Sequence, residues 1–579
     1  MKKYNYLMLA LLAFGTMNAK LEFDVQDMNI GFENSPNPDT LECLAPETFS
    51  GFSTTLYRNS AVEPTIAVNP QSKHQIVAAW QQDRFNNGGA LDIGIAHSED
   101  GGKHWSLLEI PFQNCNGGFI QRMSDVWLSY AADGSRVFMV ALGLNASTDL
   151  NTQNQMGIIV AYSTDNGATW SIPHFIAGSL NSDEEPTGLF PFFDKPSITA
   201  DPLIANNAYA VWDTFPQAIS LHSDTWFGRT TDGGVSWETS RLIYNPSLDS
   251  GIVTAADPLL RSTVDNIVVG MPNGDLLCFM TRTYPTPTAT DNQFENDVWP
   301  FQFTINDIAV IRSTDHGDTW TQTATQIAVI DYNEVWTCGY TYDGSCNVTG
   351  PAQIDSEPIG EFVRSADILY RVAVNPDNGN LYVVWNDSRF NVNSFTEIAL
   401  SRSRDGGFTW SNPVQVNRTP ANAPNPQAFC SSVAINKQGH LGILYHDFRK
   451  SNVTIATCST PVAGCTDQTK TNAWFDLYKE VSNPNGGSTG IGLDFKDELR
   501  VSHPSYFMEN GPQTGQGVMT NGDYNDLKVL GDDFHAIYVK SHRGPFPPAL
   551  TILDNIETTG VLILDNGKRT SPYFSKIDG

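Results

Sequence analysis

Arginines, carboxylates and one well-placed tyrosine recur at two kinds of position along this chain. Ahead of short apolar runs stand Arg58, Glu63, Arg122, Asp125, Asp194, Lys195, Asp257, Arg261, Arg364, Asp367 and Tyr524. At the ends of a second set of runs stand Asp83-Arg84, Asp213, Arg282, Asp387 with Arg389, Asp447 with Arg449, and His542-Arg543. A guanidinium fork grips a carboxylate through two parallel hydrogen bonds, so convergent arginines can hold an anionic substrate. A neutral phenol is a poor nucleophile until a neighbouring base takes its proton. The same ions also suit pairs that tie neighbouring elements together, and the aromatic-x-Asp-x-Arg pattern of Trp385 to Arg389 and Tyr445 to Arg449 is itself a repeat. Other chemistries have no foothold: there is no Gly-x-Ser-x-Gly elbow, P-loop, dinucleotide fingerprint or His-Glu-x-x-His, and the 11 histidines are scattered.

The elements that must position these residues announce themselves by repetition. The phrase Ser/Thr-x-Asp-x-Gly-x-x-Trp occurs at Ser98–Trp105, Ser163–Trp170, Thr230–Trp237, Ser313–Trp320 and Ser403–Trp410. Each copy follows a short apolar or alternating run, and self-similarity at such spacing marks a repeat architecture. The phrase suits a hairpin turn. Its aspartate (Asp100, Asp165, Asp232, Asp315, Asp405) can accept from backbone N–H groups two or three residues on. Its glycine can take positive φ, and its Trp can cover the hairpin as an apolar plate. Identical residues in equivalent turns serve a shared structural need, so these aspartates are structural rather than catalytic.

Two further strand-like runs joined by a tight turn precede each phrase, as in PTIAV, NPQSKH and QIVAAW. Seven such hairpins can be counted against five clear phrases; a sixth phrase is worn down to Asn483 to Gly487 without its Trp. In an antiparallel meander the start of strand one, the end of strand two and the start of strand three share one face. The ions therefore collect on one face and the Asp-Gly turns on the other. Long insertions at 172–192, 285–306, 322–364, 450–472 and 488–520 fall on the ionic face and carry aromatic residues, where repeat proteins place binding loops.

The eight-residue phrase resembles the Asp box, or bacterial neuraminidase repeat, of the sialidase superfamily, and the resemblance spans about Glu63 to about Arg543. It implies an all-β fold: a β-propeller of four-stranded antiparallel blades, with seven blades favoured and six the alternative. It also implies a glycosidase that departs from the usual carboxylate pair by using a tyrosine nucleophile. On that likeness Tyr524, in Gly522-Asp523-Tyr524-Asn525, takes the nucleophile's place. Asp92 lies near the acid/base position. Glu361, or Glu357, is the candidate base that takes the tyrosine proton. The candidate carboxylate clamp comprises Arg58, Arg84, either Arg261 or Arg282, and Arg364. The family's Arg-Ile-Pro is not present, since Asn59-Ser60 follow Arg58.

Residues 1–19 read as a secretory signal: Lys2 and Lys3, then the apolar Leu7 to Phe14, then Ala19 as a cleavage edge. Residues 20–60 form an N-terminal segment that could supply a ring-closing strand, 61–545 the propeller, and 546–579 strands that complete the last blade. Export would place the protein outside the cytoplasm, in the extracellular space or periplasm. With 34 basic and 63 acidic residues the formal charge is −29, which repels nucleic acid and anionic membrane. No later stretch is long and apolar enough to span a bilayer. No cofactor is required; Ca²⁺ is conceivable on so acidic a surface, although no calcium-binding loop is legible, and no metal site is assigned. The eight cysteines suggest disulfides in an exported chain, with Cys338–Cys346 and Cys458–Cys465 close enough to staple loops. Cys43, Cys115, Cys278 and Cys430 could pair or stay as buried thiols. The expected function is that of a secreted sialidase-like glycoside hydrolase acting on terminal acidic sugars of glycoconjugates. The alternative is a non-catalytic Asp-box propeller that binds extracellular glycans or proteins.

Overall fold

The computed structural model describes residues 27–32, 54–109, 112–113, 118–145, 155–178, 191–216, 221–293, 303–331, 353–355, 362–364, 368–390, 396–423, 425–451, 470–481, 492–513, 519–543, 551–552, 561–565 and 568–578. Nearly all of the regular structure is strand; among the described residues there is no α-helix, and no helix long and apolar enough to cross a membrane. The arrangement is propeller-like, built from four-stranded antiparallel meanders. The first runs through Thr54–Val68, Ile76–Phe85, Ala90–Ser98 and Ser106–Glu109, and the second through Arg122–Tyr130, Val137–Asn145, Gln155–Ser163 and His174–Gly178. The same order recurs in Phe192–Ala200 to Arg241–Tyr244, Ser262–Gly270 to Thr325–Val329, Tyr370–Val374 to Val414–Gln415, and Ala428–Ile435 to Gly492–Arg500.

The C-terminal sheet borrows from the other end of the chain. Asp526–Leu530 pairs with Asp533–Arg543, which pairs with Lys568–Ile577, and Met28–Asn29 adds a short outer strand at Phe574 and Tyr573. Asp27 anchors that strand. Its carboxylate accepts from the Tyr538 hydroxyl at 2.7 Å and from Lys540 Nζ at 2.8 Å. The first strand begins at Thr54, ahead of the boundary read at 61, and its start runs parallel to Val561–Asp565.

Apolar side chains lie in layers between consecutive sheets rather than in one central mass. Val77, Ile93 and Ile95 of the first sheet meet Leu128, Val137 and Ile159 of the second. Another layer joins Ile66, Trp80 and Ala96 of the first sheet to Ile537 and Phe574 of the C-terminal sheet.

The eight-residue turns fasten one sheet to the next. Ser163 Oγ donates to Asp165 Oδ1 at 2.8 Å and accepts from Gly167 N at 2.8 Å. Asp165 accepts from Thr169 N at 2.8 Å and from the Thr169 hydroxyl at 2.6 Å, and Trp170 Nε1 donates to Gly167 O at 3.1 Å. The aspartate thus reaches as far as the fourth residue on, beyond the two or three expected, because the serine occupies the nearer N–H groups. The glycine is required twice over. Gly102 has φ +88°, and a Cβ there would stand 2.2 Å from Phe574 of the neighbouring sheet; at Gly317 (φ +94°) it would stand 2.5 Å from Phe227. Ile76 pairs with Ser98 at one end of the first sheet and Arg84 with Ala90 at the other, so the turn after Ser98 and Arg84 lie at opposite ends.

Candidate active site

One backbone irregularity recurs in the first strands of five sheets. The pairing register shifts between Val62 and Thr65, Ser124 and Trp127, Asp194 and Ser197, Val264 and Ile267, and Phe429 and Ser432. Each shift holds a residue in the left-handed region: Glu63 (φ 55°), Asp125 (50°), Lys195 (47°), Asp265 (59°) and Cys430 (53°). Bulges re-aim side chains, and a non-glycine residue in this region costs on the order of 1–3 kcal/mol. Five such costs at equivalent positions mark a place where side-chain direction outweighs strand regularity.

Glu63, Asp125 and Lys195 share one cluster with Asp194, Asp523, Arg84 and the exposed Arg364. Gln81 Nε2 donates both to Glu63 Oε2 and, at 3.2 Å, to Asp125 Oδ1. Its Oε1 accepts from Arg84 Nη1 at 2.8 Å. Asp523 Oδ2 takes Lys195 Nζ at 2.6 Å and Arg364 Nη2 at 2.6 Å, and Arg364 Nε bonds its other oxygen. Asp523 N donates to Glu63 Oε1 at 3.3 Å, which joins the last sheet to the first. Arg364 reaches the cluster from the Phe362–Arg364 segment, whose Arg364 N donates to Met519 O at 2.8 Å.

This environment drives the carboxyl groups apart. Burial, then the charges of Asp125 and Asp523, push Glu63 up to about 8. Asp125 is buried as well, yet the Lys195 charge and a hydrogen bond from Glu63 bring it below the usual carboxylate range. Burial raises Asp194 to about 7 against the opposing pull of Lys195. Asp523 is held low despite burial by Arg364 and Lys195. Burial lowers Lys195, but the four surrounding acids hold it well above its ordinary value. Carboxyls split in this way supply a proton donor and an acceptor side by side.

Tyr524 lies beside the cluster. Its ring centre is 5.5 Å from that of Trp127, with the Arg371 guanidinium 4.9 Å from the Tyr524 ring and 5.1 Å from the Trp127 ring. Arg371 is in turn held by Asp265 at 3.2 Å. The Tyr524 hydroxyl is buried and has no hydrogen-bond partner among the described residues. Burial, then the charges of Glu63 and Asp125, hold its pKa well above 10, partly offset by Arg371. The phenol is neutral, and the acids Glu63 and Asp125 outweigh the Arg371 guanidinium that stands over its ring.

The structure brings together Tyr524, Arg84 and Arg364 of the residues singled out from sequence. Arg282 and Arg261 are engaged elsewhere. Arg282 is buried between Asp249 at 2.9 Å and Asp307 at 2.7 Å, so both ends of its fork are occupied. Arg261 turns to backbone, donating to Pro246 O at 3.1 Å. Arg58 is buried in the first strand, where the next residue's N–H is held by Asp83 at 2.8 Å. Asp92 is buried on the third strand opposite Gln82, and accepts from Ile93 N at 2.7 Å. Glu361 and Glu357 lie outside the described residues, as do Cys43, Cys115, Cys338, Cys346, Cys458, Cys465 and the worn phrase at 483–487. Cys278 and Cys430 are buried free thiols. Asp387 and Asp447 hold Arg389 and Arg449 two residues on, so these pairs form within one strand end rather than between neighbouring elements.

Glu63, Asp125, Asp194 and Lys195 were legible as ions of this face but not as one site, and Asp523 was legible only as the neighbour of Tyr524. A finer signal is present in the sequence. Glu63, Asp125, Lys195, Asp265 and Cys430 each stand six positions ahead of the residue that opens the following turn: Asn69, Ala131, Asp201, Met271 and Asn436.

No protein-family model matches the chain, and no curated protein matches it. Among solved structures it is similar to an α-L-arabinofuranosidase of Fusarium graminearum, at 13% identity and a TM-score of 0.41 over 78% of this chain and 97% of that one. It is also similar to the NanB sialidase of Streptococcus pneumoniae, at 10% identity and a TM-score of 0.39 over 95% and 98%. A third is the intramolecular trans-sialidase of Ruminococcus gnavus, at 13% identity and a TM-score of 0.35 over 83% and 90%. Sialidases thus stand among the structures this chain is similar to.

Proposed function

We propose that this chain is a secreted, seven-bladed propeller glycoside hydrolase of sialidase type that removes terminal acidic sugars from glycoconjugates. Three features support seven blades closed by the Met28–Asn29 strand. They are the succession of meanders, the apolar layer between the last sheet and the first, and an axial cavity lined by the first strand of each sheet. The observation that carries the reaction is the buried, unpartnered Tyr524 hydroxyl beside Glu63, an acid whose pKa is raised to about 8.

In this reading Tyr524 is the nucleophile and Glu63, rather than Glu361, is the base. A carboxylate of ordinary pKa is a weak base toward a phenol; Glu63, raised to about 8, is a stronger one. Asp194, raised to about 7 and half-buried, is the proton donor to the leaving oxygen. Arg84 and Arg364, the latter with 42% of its side chain exposed, receive the sugar carboxylate at the mouth. An anionic substrate suits a tyrosine nucleophile, because a carboxylate nucleophile would repel it.

Turnover of a fluorogenic sialoside, with a glucuronide in parallel, tests the reading. Release from either by the wild type and loss of release in Tyr524→Phe are the expected results. One observation favours the second reading, a propeller that binds glycans without cleaving them: Arg261 and Arg282 are committed elsewhere, so a three-arginine clamp does not form from the residues named. Saturable binding to sialylated glycans with no turnover would establish that reading instead.

A further inference from the structure

The axial cavity, of about 560 Å³, lies on the turn-bearing end. It is separate from the acid cluster, because the stacked Trp127, Arg371 and Tyr524 stand between them. Its walls are mostly aliphatic, with Val372, Val433, Leu527 and Val529 among the lining side chains. The size falls within the range of small-molecule pockets, roughly 300–1,000 Å³.

Its charge is at odds with the rest of the molecule. The chain carries 63 acidic residues against 34 basic ones. The cavity wall reverses this: Arg371, Lys437 and Lys528 against the single acid Asp526. Asp526 is occupied by Lys528 at 3.0 Å and by the Ile66 N–H at 3.1 Å. Polar groups on the wall also stand without partners. Ser197 Oγ and the Nε and Nη2 atoms of Arg371 are buried with no hydrogen-bond partner among the described residues. Buried donors left in that state cost free energy unless a ligand or ordered water meets them.

We propose that this cavity is a second binding site for a small amphiphilic anion, a carboxylate or sulfonate head on an apolar body. The head meets Lys437 and Lys528 together with Arg371 and Ser197, and the body fills the aliphatic wall. The site does not depend on the glycosidase reading, since none of Lys437, Lys528 or Val529 belongs to the acid cluster.

Calorimetric titration of the purified chain with octanoate and with 1-octanol tests it, with displacement of 8-anilinonaphthalene-1-sulfonate as a second readout. The expected result is one saturable octanoate site that displaces the dye. Octanol should bind at least about tenfold more weakly, and the Lys437→Ala/Lys528→Ala variant should lose about tenfold in octanoate affinity. Val529→Phe, which fills the wall, should abolish binding; should it fail to fold, the lysine variant still decides. Absence of saturable octanoate binding up to about 1 mM would overturn the proposal. So would equal affinity for octanol, or an unchanged affinity in the lysine variant. Sialoside turnover of the lysine variant stays at the wild-type level in every case, so failure here leaves the reaction untouched.

Discussion

Tyr524→Phe separates chemistry from architecture in a way few active-site substitutions allow. The ring keeps its neighbours, Trp127 at 5.5 Å and the Arg371 guanidinium at 4.9 Å. The hydroxyl that is removed bonds no described group. A buried hydroxyl without a partner costs about 1–3 kcal/mol of desolvation, so its deletion should leave stability unchanged or raise it by about 1 kcal/mol. In a chain of this size that is a rise of about 1–2 °C in Tm at most. If the same hydroxyl attacks the sugar, kcat/KM for a fluorogenic sialoside should fall by at least about 10²-fold, equivalent to about 2.7 kcal/mol on the barrier. The two readouts move in opposite directions, which a purely structural tyrosine would not produce. Activity within about threefold of wild type would refute the nucleophile assignment. A stability loss above about 2 kcal/mol would refute the premise that the hydroxyl has no partner.

The pH behaviour of Glu63 gives a second test. Its folded pKa of about 8 lies above its ordinary value, so its contribution to stability is complete below about 4.5 and is lost as pH rises through 8. Glu63→Gln should flatten the fall in Tm between those limits and, because the base is gone, abolish turnover; wild-type kcat/KM should climb toward pH 8 as the base ionises. Asp27→Ala should cost about 3 kcal/mol in urea unfolding, because Lys540 is left as a buried cation without its carboxylate. Gly102→Ala, with its Cβ directed at Phe574 and φ at +88°, should cost about 2 kcal/mol or more, whereas alanine at Gly439, which has open space around it, should cost only the strain of its positive φ. Arg282→Ala should lower stability by about 3 kcal/mol through its unpaired aspartates and leave KM for a sialoside unchanged; a raised KM at unchanged stability would return Arg282 to the substrate.

The propeller-like fold was legible because its determinants are local and repeated. The Ser163, Asp165, Gly167 and Trp170 side chains satisfy one another within a single turn, so the sequence phrase is nearly the structure itself. The assignment of faces was legible for the same reason, since it follows from strand alternation and chain direction. The cluster was less so. Glu63 meets Asp523, the residue before Tyr524, across sheets at opposite ends of the chain, and no local spacing records that contact. The bulges also break the alternation on which facing is read: after a register shift, Glu63 and Lys195 leave the pattern of their strands. Arg282 failed to stand apart from Arg84 because an arginine that holds two buried aspartates and one that joins the acid cluster through Gln81 follow the same kind of strand end.

The charge of the cluster bears on which sugar it can accept. Glu63 carries its proton below about 8, which leaves Asp125 and Asp523 as the ionised acids against Lys195, Arg364 and Arg84. Even with Asp194 partly ionised, an incoming carboxylate meets no net repulsion here, although the chain as a whole is strongly acidic. Two of the cations, Lys195 and Arg364, share the one carboxylate of Asp523, so an added anion at the mouth would relieve an excess of positive charge rather than create one. Ionisation of Glu63 to serve as a base cancels that excess. Binding an anionic sugar and activating Tyr524 therefore oppose each other as pH rises: KM should increase above pH 8 while kcat still climbs. A neutral glycoside would show only the second effect, so the pH dependence of KM distinguishes an acidic substrate from a neutral one without a crystal of the complex.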